Sequence, residues 1–147
     1  TDRTIMFTRT KAMADRLAGD LMDLGINAAP IHGDLRQTSR EKSLRDFSDG
    51  KLNTLVATDV AARGIHVDEV DVVIQYDPPG DHKTYLHRAG RTARAGEKGL
   101  VVTLSMWDEE LEIKRLQKRI DVIMPIVEMF SNDVRLKNLA EWDPESA

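Results

Sequence analysis

Short apolar runs rich in β-branched residues recur along this chain with helical spacings between them, and no other feature restricts its fold so strongly. Thr4 to Thr8 (TIMFT) is β-prone, and Lys11 to Leu24 follows with Ala12, Met13, Leu17, Leu21 and Leu24 at helical spacing before Gly25 stops it. The pattern repeats with Ala28 to Ile31 as a strand and Ser39 to Phe47 as a helix carrying Leu44 and Phe47 on one face. Leu52 to Ala57 and Val70 to Gln75 are further strands, separated by a short turn. Beyond Pro78-Pro79-Gly80 come a helix from His82 to about Ala89, an Arg/Gly loop, a strand from Gly99 to Leu104 and a charged amphipathic helix from about Asp108 to Ile120. Parallel neighbours need crossover connections, which are usually helices, so this alternation predicts a mostly parallel sheet. VDVVI and LVVTL are nearly continuous apolar runs, as expected of strands covered on both faces. The expected class is α/β, a three-layer sandwich around a mostly parallel central sheet.

A chain of 147 residues has the length of one domain at roughly 150 residues each. The core is expected within residues 1–122. Ile123 to Phe130 is a candidate edge strand interrupted by Pro125, and Ser131 to Ala147 is polar with little periodicity, so residues 123–147 form an expected C-terminal extension or tail. With 41% apolar and 31% charged residues the chain is too apolar for disorder as its main state. No apolar run approaches the roughly 20 residues that cross a bilayer, so no membrane partner is expected. Cysteine is absent, which excludes disulfide scaffolds, thiol nucleophiles and Cys-ligated zinc, and the expected compartment is cytoplasmic. The chain opens without Met and reaches a strand-like segment by Thr4, which reads as a piece of a longer polypeptide.

Lys plus Arg number 21 against 25 Asp plus Glu, a formal net charge of -4, so any polyanion site must be local. In open parallel sheets ligands bind beyond the carboxyl ends of the strands. There the chain offers Thr8-Arg9-Thr10, His32-Gly33-Asp34, and Thr58-Asp59 followed by Ala61-Ala62-Arg63-Gly64. Hydroxyls, helix N-terminal amides and guanidinium groups are the donors that a phosphodiester backbone needs, and glycine lets that backbone come close. Each has a plainer alternative, Thr10 as a helix cap and Gly33 as a turn.

His87-Arg88-Ala89-Gly90-Arg91-Thr92-Ala93-Arg94-Ala95-Gly96 spaces three arginines at intervals of three between glycines. It is either a solvated basic face or a set of forked donors for the charge that spreads over phosphoryl oxygens. No G-x-x-x-x-G-K-[ST] occurs, so no loop cradles a nucleotide's β- and γ-phosphates or holds their magnesium. His32, His66, His82 and His87 show no metal-ligand spacing, and no metal site is expected in this chain.

Together these segments resemble the C-terminal RecA-like domain of DEAD-box ATP-dependent RNA helicases. The match runs from about Thr4 to Leu104. Ile5 to Thr10 (IMFTRT) is similar to the family's motif IV, His32 to Arg40 (HGDLRQTSR) to its Q-x-x-R segment, Ala57 to Val67 (ATDVAARGIHV) to motif V, and His87 to Gly96 (HRAGRTARAG) to motif VI. The resemblance implies a RecA-like sandwich and a second motor domain that works against an N-terminal RecA-like domain of the same polypeptide. That partner would hold most of the ATP and Mg2+. Arg91 and Arg94 would reach the γ-phosphate as catalytic arginines. Arg9, Gly33, Arg40, Thr58, Arg63 and Gly64 would face the RNA backbone, and Gln37, His87 and Arg88 would join the interdomain network.

Two residues depart from the family pattern. His66 stands where a ribose-contacting Asp is usual, and a neutral imidazole cannot repeat a carboxylate's paired acceptance. Ala93 stands where motif VI usually has its second Gly. Two alternative functions share these features, a non-enzymatic RNA-binding module and a DNA-directed helicase or translocase.

Overall fold

The computed structural model describes residues 3–63, 67, 69–92, 99–121, 124–139 and 141–142. Its strands are β1 (Thr4–Thr8), β2 (Ala28–Ile31), β3 (Thr54–Thr58), β4 (Val72–Gln75) and β5 (Leu100–Thr103). Its helices are α1 (Lys11–Asp23), α2 (Gln37–Ser48), α3 (Asp59–Arg63), α4 (His82–Ala89) and α5 (Glu110–Ile120). The strands form one sheet in the order β2-β3-β1-β4-β5, and every neighbouring pair is parallel.

Alternation along the two central strands makes the three layers. Ile5 and Phe7 of β1 and Leu55 and Ala57 of β3 join Phe47 of α2 and Ala62 of α3 in one cluster. Met6 and Val56 face the other way, onto Ala14 and Ala18 of α1. Alanines at those contact points let α1 lie close to the sheet, and every residue of β3 is buried. The expected α/β sandwich is therefore the observed architecture. β5 is only half-buried along its length because it is an edge strand, and β2 occupies the opposite edge, where Pro30 costs no ladder bond.

Local chemistry sets the ends of α1. The Thr10 hydroxyl accepts the Met13 N–H at 3.1 Å, and the helix gives way to Gly25 at φ +84. A Cβ at Gly25 would meet nothing within 4 Å, so its left-handed backbone alone penalises a side chain. Gly25→Ala is expected to cost about 1 kcal/mol, read as a lower midpoint in urea unfolding with an unchanged slope.

Several boundaries differ from the sequence expectation. Helix α2 starts at Gln37, not Ser39, and a five-residue helix α3 replaces the short turn after β3. The helix expected from Asp108 divides into a 3-10 turn, Trp107–Glu109, and α5, because the Glu109 carboxylate folds back to accept the Met106 N–H at 2.8 Å. The candidate strand from Ile123 is corrected: Met124 to Phe130 forms no strand, and Pro125 supplies no ladder donor. This segment instead packs on the helices. Tyr85 O–H donates to Met124 Sδ at 3.2 Å, and the Met124 N–H donates to Gln117 Oε1 at 3.4 Å.

Candidate functional site

Parallel pairing brings the strand ends to one edge of the sheet. Thr8 and Thr58 are register partners there, with Gln75 opposite Phe7 one position earlier. From this edge Arg9, Gly33 and Arg63 are exposed, Arg40 is half-buried and Thr58 is buried beneath them. Gly33, Gln37 and Arg40 line one pocket with Ile31, Glu41, Leu44, Val60 and Ala61. Gln37 Nε2 donates to Glu41 Oε1 at 3.2 Å, and Arg40 donates to Gln37 Oε1, so a carboxylate orients the guanidinium through an amide. Arg40 Nε is buried without a partner, a donor still to be satisfied.

Arg9 stands apart from that pocket. Its backbone N–H donates to Asp77 Oδ2 at 2.7 Å, and it lines a second groove with Pro78, Pro79, Asp108, Glu109 and Glu112. Three carboxylates there make this end of the edge less hospitable to a polyanion than the Gly33 end.

Arg88 ties the edge together from below. It is 2% exposed, and its Nε and Nη2 each donate to one oxygen of Asp59 at 2.8 Å, a bidentate pair. Its Nη1 donates to the Asp77 carbonyl at 2.7 Å and to Gln75 Oε1 at 3.3 Å, and the guanidinium lies 5.3 Å from the centre of the Phe7 ring. Gln75 in turn donates to Thr103 Oγ1 at 2.8 Å. One cation thus joins the ends of β3, β4 and β5. Within this domain its donors engage Asp59, Gln75 and Asp77.

Arg91 follows one helical turn later. Its Nη2 donates to the Ala62 carbonyl at 2.8 Å and to His87 Nε2 at 2.8 Å, and its Nη1 reaches the Val67 carbonyl at 3.5 Å. Because arginine only donates, His87 accepts at Nε2 and carries its proton on Nδ1, which is buried without a partner. Burial pushes the His87 pKa below the usual histidine value, reinforced by Arg91 and Arg63 and opposed by Asp59. The ring is therefore neutral at pH 7.

Gly64, His66 and Arg94 lie outside the described residues, as does Ala93. Of the expected site residues, the structure brings Gly33, Gln37 and Arg40 together, sets His87, Arg88 and Arg91 on and just after α4, and places Thr58 and Arg63 at the two ends of the β3–α3 junction. Sequence reasoning missed Asp59, Gln75 and Asp77 as partners of Arg88. Gln75 carried a signal, since a lone amide closes the apolar run VDVVI. Among the described residues no three His, Asp or Glu side chains are grouped to hold a metal ion. Arginine donors suit phosphoryl oxygens, so the donor set fits a phosphate but not its metal.

The family model described as "Helicase conserved C-terminal domain" matches residues 1–96. "ATP-dependent rRNA helicase RRP3" of Yarrowia lipolytica is 49% identical over 121 residues, covering 80% of this chain and 25% of the relative. The crystal structure of a DEAD box protein from the hyperthermophile Methanococcus jannaschii superposes with a TM-score of 0.77 at 38% identity, over 83% of this chain and 34% of that one. Saccharomyces cerevisiae Dbp5 L327V, bound to RNA and ADP BeF3, superposes with a TM-score of 0.81 at 30% identity, over 95% of this chain and 38% of that one. The chain spans about a quarter of the length of its RRP3 relatives.

Proposed function

The chain belongs to the helicase conserved C-terminal domain family, in its DEAD-box RNA helicase form, and on that premise we propose that it is the second motor domain of an ATP-dependent RNA helicase. The observation that carries the proposal is the single carboxyl edge at which Gly33, Gln37 and Arg40 line one pocket while Arg63 ends α3 and Arg91 donates to the Ala62 carbonyl beside it. In this assignment Gly33, Arg40, Thr58, Arg63 and Gly64 take the RNA sugar-phosphate backbone, with Arg9 reaching it from the more acidic end of the same edge. Arg91 and Arg94 take the γ-phosphate of ATP across a cleft, and His66 takes the ribose side. The phosphate loop and the magnesium ligands belong to an N-terminal RecA-like domain of the same polypeptide. Gln37, His87 and Arg88 belong to the closing interface, Arg88 by holding the strand ends beneath it, and the compartment is cytoplasmic.

Contacts made to phosphate are blind to sequence and sensitive to salt. Binding of single-stranded RNA homopolymers should weaken linearly with log salt, and Arg40→Ala and Arg63→Ala should each flatten that slope by about 0.7. Anisotropy titrations over a salt series measure this, and a salt-independent or sequence-selective affinity would contradict the proposal. The 147-residue chain alone should hydrolyse no ATP at any RNA concentration, because its sequence contains no G-x-x-x-x-G-K-[ST] loop.

A further inference from the structure

His32 is buried at the end of β2, 3% exposed, and none of the roles above uses it. Its Nδ1 accepts the backbone N–H of Asp34 at 3.2 Å. A nitrogen that accepts carries no proton, so the ring hydrogen sits on Nε2, which donates to Asp15 Oδ1 at 2.7 Å. The imidazole is thus a buried strut bonded at both ends, to the exposed Asp15 carboxylate of α1 and to the turn that contains Gly33. The turn is closed by the Leu35 N–H on the His32 carbonyl at 3.3 Å, and Lys11 Nζ holds Asp34 Oδ1 from outside at 2.9 Å. That ammonium keeps the Asp34 carboxyl below its usual range. A Cβ on Gly33 would meet Lys11 Cε at 3.8 Å, so the turn lies directly under this lysine.

We propose that His32 is a positioning residue for the RNA backbone, setting through Nδ1 the direction in which the Gly33–Asp34 peptide faces the pocket shared with Gln37 and Arg40. The proposal rests on the RNA-binding role assigned to that pocket. Burial alone asks for a partner at each ring nitrogen, so what marks the role is the partner chosen: a tether for α1 could leave Nδ1 to any donor, whereas here it takes the Asp34 N–H of the turn. Both ends are engaged, and the Nδ1 end is the one that touches the turn. Lys11 and Asp34 lie on solvent-exposed paths and can exchange partners with water, whereas the imidazole is held by burial.

Asparagine and glutamine separate the two ends. The amide oxygen of Asn occupies the place of Nδ1, and the amide nitrogen of Gln occupies the place of Nε2. His32→Asn should keep the Asp34 bond and bind a labelled uridine oligonucleotide within about twofold of the unsubstituted chain, while His32→Gln should bind about fivefold more weakly, the worth of one hydrogen bond. Melting temperatures of the two variants should fall together, since each loses half the strut. Equal loss of affinity in both, or a weaker Asn variant, would overturn the proposal. If the unsubstituted chain binds no RNA at all, the RNA-binding reading fails instead. The positioning role is then read from the amide resonances of Gly33 and Asp34, which should move in the Gln variant and stay near their original shifts in the Asn variant. Resonances displaced equally in both would sink it on that arm as well.

Discussion

Arg91→Ala, made in the polypeptide that joins this domain to a phosphate-loop domain, should lower RNA-stimulated ATP turnover by about 10³-fold or more while leaving RNA affinity within a few-fold. A finger arginine acts on charge that develops in the transition state, so its loss falls on kcat more than on binding. The geometry adds a condition. Arg91 rests on the carbonyls of Ala62 and Val67 and on His87, and it must give up some of these bonds to reach a phosphate. Arg91→Lys is the control, because an ammonium keeps the charge and can keep the Ala62 bond but lacks the fork. Turnover should remain far below normal in the Lys variant, with a near-normal melting temperature. Near-normal turnover in both variants would return the arginine to a purely structural place on α3.

Arg88→Met should damage the fold strongly, costing about 3 kcal/mol. The cost arises because the substitution removes the four bonds that Asp59, Gln75 and the Asp77 carbonyl accept from the guanidinium. Asp59 retains some access to water at 24% exposed, which holds the effect at the lower end for a broken buried pair. The double variant Arg88→Met with Asp59→Leu should recover part of the loss, since two apolar side chains leave no stranded carboxylate. Urea unfolding of the single and double variants gives the coupling directly, and strict additivity would show that the pair is not coupled.

Arg88 also shows where the sequence ceases to be legible. Strands β1 and β3 announce themselves because both faces are covered and the apolar run is unbroken, and α1 because its apolar spacing closes on a glycine. These are local signals. Helix α3 carries none, being five residues that leave a strand without a loop, and its length lies below any period that can be read. Met124 to Phe130 misled for the opposite reason: its residues favour a strand, but strand propensity needs an available edge and the chain there rests on Tyr85 and Gln117 instead. The motif pattern marks Arg88 and Arg91 alike as basic. Only the fold reveals that one is sealed against Asp59 and the other lies on the Ala62 and Val67 carbonyls, because these partners are 10 to 30 positions away. The Gly33, Gln37 and Arg40 group was legible because all three sit within one turn and the first two turns of a helix.

The sheet order has a consequence for how the protein is made. Of these five strands β1 leaves the ribosome before the others, yet it ends as the central strand, with β3 on one side and β4 on the other. At about 5–20 residues per second, several seconds separate its appearance from that of its second partner. During that interval TIMFT has one or both ladder edges bare, and an apolar strand with open edges invites pairing with other chains. β2 offers no relief, because it binds only β3 at the far edge. From the emergence of Thr4 until Gln75 has cleared the tunnel, the nascent chain therefore carries an unpaired apolar strand. A stall just before β4 exposes a more aggregation-prone chain than a stall just after it.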